Sequence, residues 1–431
     1  MAQNTTIPRS EVTQDTHDSG YMRSMVIIGA LFFIFGFVTW LNSVLIPYLK
    51  IACELNNFAS YLVATSFYIS YLVMAIPSAW VLKATGFKKG MSVGLLVMAV
   101  GALVFIPAAM SRTYGVFLLA QFIIGTGLAV LQTAVNPYAT ILGPRESAAR
   151  RISIMGICNK VAGALAPIIL GAVILSDADA LVQQLKTMDA AQRVAELNAL
   201  ASRVITPYMI MAGVLVLLAV LIYFSSLPEI DTDQEDESVA SANSSKTSVF
   251  QFPHLVLGVL TMFLYVGVEV MAGDTVISYG ASQGIALADA TYFTTYTLIA
   301  MIVGYLIGIA TMPKLISQDK ALQISALLGV AFVLVALFTD GYTSVLFISL
   351  LGLANAIMWP AIWPLAIADL GRFTKIGSSL LIMGIAGGAI LPLVYGHLTD
   401  LFNSQEAYWI MVPCYLFIWY FAAYGHKVRT R

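Results

Sequence analysis

Twelve stretches of mostly apolar residues follow one another along the chain, at 25–47, 58–82, 91–110, 114–141, 152–175, 205–227, 252–279, 290–312, 321–339, 342–368, 376–396 and 405–426. Each is close to the roughly 20 residues that an α-helix needs to cross the hydrocarbon core of a bilayer. In that medium no water satisfies backbone N–H and C=O groups, so a lipid-embedded segment of this kind has to be a helix. Internal prolines such as Pro137, Pro167 and Pro364 fit this, because neighbouring helices can take up the freed backbone groups. The sequence therefore predicts an all-α membrane protein with twelve transmembrane helices. Only 10% of its residues are charged, against about 25% in soluble domains.

An even number of spans puts both termini on one side. If that side is the cytoplasm, inside segments hold 16 of the 22 Lys and Arg residues; Lys50, Arg112, Lys186, Arg193 and Arg203 lie outside and Lys160 within a helix. The excess of positive charge predicts a multi-pass protein with cytoplasmic termini. Residues 1–24 are polar and of mixed charge, without the pattern of a signal peptide, and are expected to remain as a cytoplasmic tail. Cys53, Cys158 and Cys414 have neither disulfide-framework nor metal-site spacing, and no cofactor is indicated. Residues 228–251, rich in Ser and acidic side chains, read as a cytoplasmic linker between a six-helix half at 25–227 and a second at 252–427, followed by a tail at 428–431. Between 177 and 203, Leu181, Val182, Leu185, Val194, Leu197 and Leu200 recur at helical spacing among charges, which predicts short helices on the outer surface.

The halves share local patterns. Ile154-Met155-Gly156-Ile157 returns as Ile382-Met383-Gly384-Ile385, Lys83 and Lys89 as Lys314 and Lys320, and Asn136-Pro137 as Trp363-Pro364, all in the same helix order. A six-plus-six duplication with substrate held at mid-membrane between the halves is the plan of major facilitator transporters, which rock one half against the other. A membrane-embedded enzyme would account for the hydrophobicity alone, since no nucleophile–base or metal-ligand grouping is present. A channel lacks its filter-like segment.

Longer motifs narrow this further. Thr133-Ala134-Val135-Asn136-Pro137 with Leu142-Gly143-Pro144-Arg145-Glu146-Ser147 resembles the fucose, galactose and glucose symporters of the major facilitator superfamily. So do Asp369-Leu370-Gly371-Arg372-Phe373-Thr374-Lys375, Leu41-Asn42, Thr206-Pro207-Tyr208 and Tyr265-Val266-Gly267, over nearly the whole transmembrane part. The resemblance implies proton-driven sugar uptake across a bacterial inner membrane; a monomer with no nucleic-acid partner is expected. L-fucose/proton symporters of this family carry an aspartate directly after the asparagine that Asn42 matches, and a glutamate directly before Thr-Ala in helix 4. Here those places hold Ser43 and Gln132. The chain thus looks closer to the glucose/galactose branch, with N-acetylglucosamine as the next candidate substrate.

A sugar offers a ring of hydroxyls and apolar C–H faces, so its site needs amides or carboxylates beside an aromatic plate. Asn42, Gln132, Asn136, Asn159, Lys160, Glu269, Trp359 and Trp363 are the expected substrate-binding residues; for each polar one an interhelical hydrogen bond is the competing reading. Lys160, Glu269 and Asp274 are the ionisable residues deep in the spans, where a charge marks a functional site by default. At about 100° per residue, Glu269 and Asp274 stand about 140° apart and share a face only if the helix is broken, as Gly273 would allow. Because Ser43 and Gln132 do not titrate, sodium is expected as the coupled ion, held by Glu269, Asp274, Ser43, Asn42 and Thr275; proton coupling and uniport are the alternatives. Arg145, Arg150, Asp369 and Arg372, at cytoplasmic helix ends, are expected to form gating ion pairs.

Overall fold

The computed structural model describes residues 12–141, 148–225, 227, 248–312, 315–370 and 373–430. Its helices make twelve spans. The first half comprises α1 (Val12–Trp40), α2 (Asn42–Ala52), α3 (Asn57–Thr85), α4 (Phe87–Ser111), α5 (Tyr114–Ile141), α6 (Ala148–Ile174), α7 (Ala178–Leu185), α8 (Ala190–Ser202) and α9 (Ile205–Phe224). The second comprises α10 (Pro253–Val270), α11 (Val276–Ser282), α12 (Leu287–Thr311), α13 (Gln318–Phe338), α14 (Gly341–Asn355), α15 (Met358–Ile367), α16 (Thr374–Met383), α17 (Gly387–Leu401) and α18 (Met411–Ala423). Most of the proposed linker lies outside the described residues.

Four details differ from the simple pattern of twelve rods. The first helix begins at Val12, inside the stretch expected as a tail. It joins α2 at Leu41, where the Ser43 hydroxyl donates to the Trp40 carbonyl. The tenth span, expected as one helix over 342–368, is two, α14 and α15, bent by 40°. Pro360 explains the break: it has no N–H for the Ala356 carbonyl four residues back, and its ring crowds that oxygen. In the seventh span a π-helical segment, Met271–Thr275, separates α10 from α11. Here the helix stays continuous but widens to i→i+5 bonding.

Within the first half α4 packs on α5 and α9, and α1 on α6; within the second, α13 packs on α14 and α18. The halves meet where α3 lies against α17 and α6 against α12. Bulky apolar side chains such as Trp80, Phe224 and Phe338 point outward, as a lipid-facing surface requires. Small residues let the backbones approach: a Cβ on Gly36 would come within 2.0 Å of the Asn159 carbonyl oxygen. The amphipathic pair α7 and α8 buries Leu181, Leu185, Leu197 and Leu200 against one end of the bundle, the end predicted to face outside.

At that end the halves are closed on each other. There α2 packs against the π segment and α11. Asp400, at the end of α17, accepts hydrogen bonds from the backbone N–H groups of Asn57 (3.1 Å) and Phe58 (2.8 Å), capping α3 of the other half. Asp179 of α7 likewise accepts from the backbone N–H of Leu287 at 2.7 Å and caps α12. A carboxylate at a helix N-terminus satisfies orphan donors and complements the helix dipole. On the surface, Arg203 donates to both carboxylate oxygens of Asp177 and holds that carboxyl below its ordinary range.

Candidate functional site

A cavity between the halves is lined by Tyr71 of α3, by Gln132, Thr133 and Asn136 of α5, by Trp359 of α15 and by Ile382 of α16. On α5 the positions 129, 132, 133 and 136 repeat at helical spacing, so one face of that helix supplies its amides to the cavity. The Gln132 Oε1 atom is buried and has no hydrogen-bond partner among the described residues. Leaving such an acceptor unpaired costs about 1–3 kcal/mol, which a polar ligand can return. Trp359 faces the amides across the cavity lining. Its ring stacks on Trp363 one turn on, with centroids 5.7 Å apart and planes at 22°, and lies 6.4 Å from the Tyr265 ring. Amides on one half and an aromatic plate on the other form the constellation that a sugar ring needs. Gln132, Asn136 and Trp359 are thus brought together, while Trp363 supports Trp359 from behind.

Two other expected binding residues make hydrogen bonds between helices. Asn42 is fully buried; its side-chain oxygen accepts from Gln121 Nε2 at 2.5 Å, which ties α2 to α5. Asn159 donates to the Phe32 carbonyl at 3.4 Å, beside the close contact at Gly36. Neither lines the cavity.

Lys160 and Glu269 form an ion pair across the halves at 2.7 Å, with side chains only 10% and 12% exposed. The ammonium also lies 4.8 Å from the Trp40 ring centroid. Trp40 is itself wedged between the halves, since a Cβ on Gly163 would come within 2.4 Å of its indole and one on Gly273 within 2.0 Å. Gly273 is therefore required for close approach of the ring to the π segment. Trp40, Gln121 and Tyr71 were not among the residues expected from the sequence; Tyr71 shows the same mid-span aromatic signal as Trp359, whereas nothing local marks Trp40 or Gln121.

Asp274, within the π segment, is fully buried, and neither carboxylate oxygen has a hydrogen-bond partner among the described residues. The residues expected to complete an ion site with it are engaged elsewhere: Ser43 with Trp40, and Thr275 with the Met271 carbonyl and, at 2.5 Å, with Tyr408 Oη. A π-helical segment, and not a break, follows Glu269 and carries Asp274, so the 140° separation of a regular helix does not apply to the pair. Of the expected gating residues, Arg145 and Arg372 lie outside the described residues, and for Arg150 only the helical backbone is described. Asp369 is exposed just past α15 in a left-handed conformation, φ 59°.

The sequence profile of the Major Facilitator Superfamily matches residues 28–383. The chain is 34% identical over 419 residues to a glucose/galactose transporter of Brucella abortus biovar 1 (strain 9-941), covering 96% of this chain and 97% of that one. It is 31% identical over 436 residues to the L-fucose-proton symporter of Escherichia coli (strain K12), covering 99% of each. Among solved structures, the major facilitator transporter FucP in its outward conformation is similar with a TM-score of 0.71 at 30% identity, over 94% of this chain and 99% of FucP.

Proposed function

The chain belongs to the Major Facilitator Superfamily, a transporter and not an enzyme, and from that premise we propose that it is a symporter taking up a hexose such as glucose or galactose by alternating access. The observation that carries this reading is the cavity between the halves, with Gln132 and Asn136 on one side and Trp359 on the other. In this conformation the cavity has only about 10 Å³ of free space, room for one water. A pyranose therefore enters when the halves part and is then held by hydrogen bonds to its hydroxyls and stacking on its C–H face. Similarity to a glucose/galactose transporter favours those two sugars, with N-acetylglucosamine the next to test. The charge distribution supports an orientation with α7, α8 and the closed end on the outside of a bacterial inner membrane. In that orientation the structure is outward-closed, and transport requires the bonds at Asp179 and Asp400 to open in turn.

For the coupled ion the sequence favours sodium, which needs several oxygen ligands. The structure gives the oxygens of Asn42, Ser43 and Thr275 protein partners and leaves the Asp274 carboxyl alone and buried, which favours a proton. A buried carboxyl without a cation beside it is stable when neutral. The test is uptake of labelled glucose and galactose into proteoliposomes. A pH gradient with potassium on both sides is expected to raise the internal sugar above the external level. Accumulation driven only by a sodium gradient at equal pH would restore the sodium reading, and equilibration under every gradient would indicate a uniporter.

A further inference from the structure

One wall of the sugar cavity is built by two helices of the same half. On α3 the residues Tyr71, Met74 and Ala75 line it at a spacing of three and four, and on α5 Gln132 and Thr133 do. These helices cross with their backbones nearly in contact, since a Cβ on Gly125 would come within 2.4 Å of the Phe67 carbonyl oxygen. Phe67 stands one turn before Tyr71. Tyr71 and Gln132 therefore remain on one wall when the halves part, whereas Trp359 and Ile382 belong to the second half and move with it.

The polar atoms of this wall are not equally free. Thr133 returns its hydroxyl hydrogen to the Ala129 carbonyl at 2.8 Å. Gln132 Oε1 stays open, and so does the Tyr71 hydroxyl, which makes no hydrogen bond among the described residues although the residue is only 3% exposed. The Tyr71 ring is itself fixed by an edge contact with Phe67, with centroids 6.1 Å apart and planes at 68°. A buried tyrosine hydroxyl ordinarily finds a partner. One that lines a cavity without any points to a ligand that supplies it.

We propose that Tyr71 is a sugar-binding residue whose hydroxyl donates a hydrogen bond to one hydroxyl of the hexose, and that it makes recognition depend on that hydroxyl. The inference rests on the hexose reading given above. Tyr71 supplies a hydrogen on this wall and Gln132 Oε1 an acceptor. A ligand group that only accepts leaves Gln132 Oε1 unpaired, and one that only donates leaves the phenolic hydrogen unpaired. A hydroxyl serves both kinds of partner. In the closed state the free space is that of one water, whose hydrogen-bonding pattern a sugar hydroxyl shares. The opposite wall presents the Trp359 ring and Ile382, apolar surface that suits the C–H face, so the hydroxyl edge of the sugar turns to Tyr71. A site built to pair a substrate hydroxyl rejects the analogue that lacks it, because its own buried polar group is then left alone.

The experiment uses the full chain, purified, and measures binding of glucose, galactose and the monodeoxy analogues of each. In wild type at least one deoxy analogue is expected to bind about tenfold more weakly than its parent sugar, because the Tyr71 hydroxyl goes unpaired. Tyr71→Phe keeps the ring and its contact with Phe67. It is expected to bind the parent sugar about tenfold more weakly, and to bind that one analogue as wild type does. A merely structural role would lower the affinity for the parent and for every analogue by one common factor, and that result overturns the assignment. A Tyr71→Phe protein that binds every sugar like wild type overturns it as well. The wild type alone decides if the variant does not assemble, since equal binding of all monodeoxy analogues and their parents leaves no hydroxyl for Tyr71 to read. A wild type that binds no hexose removes the hexose reading itself and the assignment with it.

Discussion

Deleting one charge of the Lys160–Glu269 pair should show how firmly it joins the two halves. Lys160→Met leaves the Glu269 carboxylate in a site where only 12% of its side chain is exposed, and stranding one partner of a buried pair costs about 3–5 kcal/mol. Glu269→Gln strands the ammonium in the same way, but the new amide oxygen can still accept a hydrogen bond across the 2.7 Å gap. A hydrogen bond to a charged group returns about 1.5–3 kcal/mol, so the net loss should be near 2 kcal/mol. The ammonium's contact with the Trp40 ring survives Glu269→Gln but is lost in Lys160→Met, which widens the difference between the two. In the double variant neither charge remains, and its loss should be clearly smaller than the sum of the singles, by about 2 kcal/mol or more. The assay is thermal unfolding of purified protein in detergent, compared at one heating rate because unfolding of such proteins is commonly irreversible. The expected order is wild type, Glu269→Gln, Lys160→Met, with the double variant above Lys160→Met. Strictly additive losses would refute the argument, since they would mean that the two charges do not interact in the folded protein.

Two further outcomes are expected. Gln132→Ala and Trp359→Ala should each weaken glucose binding in a titration of the purified protein, the former by about one to two decades as sugar hydroxyls lose a partner; unchanged affinity in both would move the sugar site away from this cavity. Asp400→Ala should open the outer end more often, because the N-terminus of α3 loses its cap from the other half, worth about 1 kcal/mol; faster labelling of a cysteine introduced at Ala281, in the outer groove between α2, the α7–α8 pair and α11, would register this, and an unchanged rate would show that the cap does not hold the closed state.

Much of this protein is legible in the sequence because lipid leaves so few choices. A segment that cannot use water for its backbone must be a helix, so the twelve spans follow from apolar length alone. The mid-span polar residues Gln132 and Asn136 and the aromatic Trp359 also stand out, since lipid-buried polarity and mid-depth indole need a reason. What the sequence does not contain is rotation. Asn42 and Gln132 look equally suited to a sugar, yet Asn42 turns to Gln121 of α5 and Gln132 turns to the cavity, a difference set by how α2 and α5 pack. Asn159 is taken by the tight crossing at Gly36 for the same reason. Glu269 and Asp274 are five residues apart in any reading, but the π segment that holds Asp274, with Trp40 pressed on Gly273, is visible only in the folded structure. Helix length is a property of one segment against the bilayer, whereas the facing of a side chain is a property of two helices against each other, and tertiary packing alone decides it.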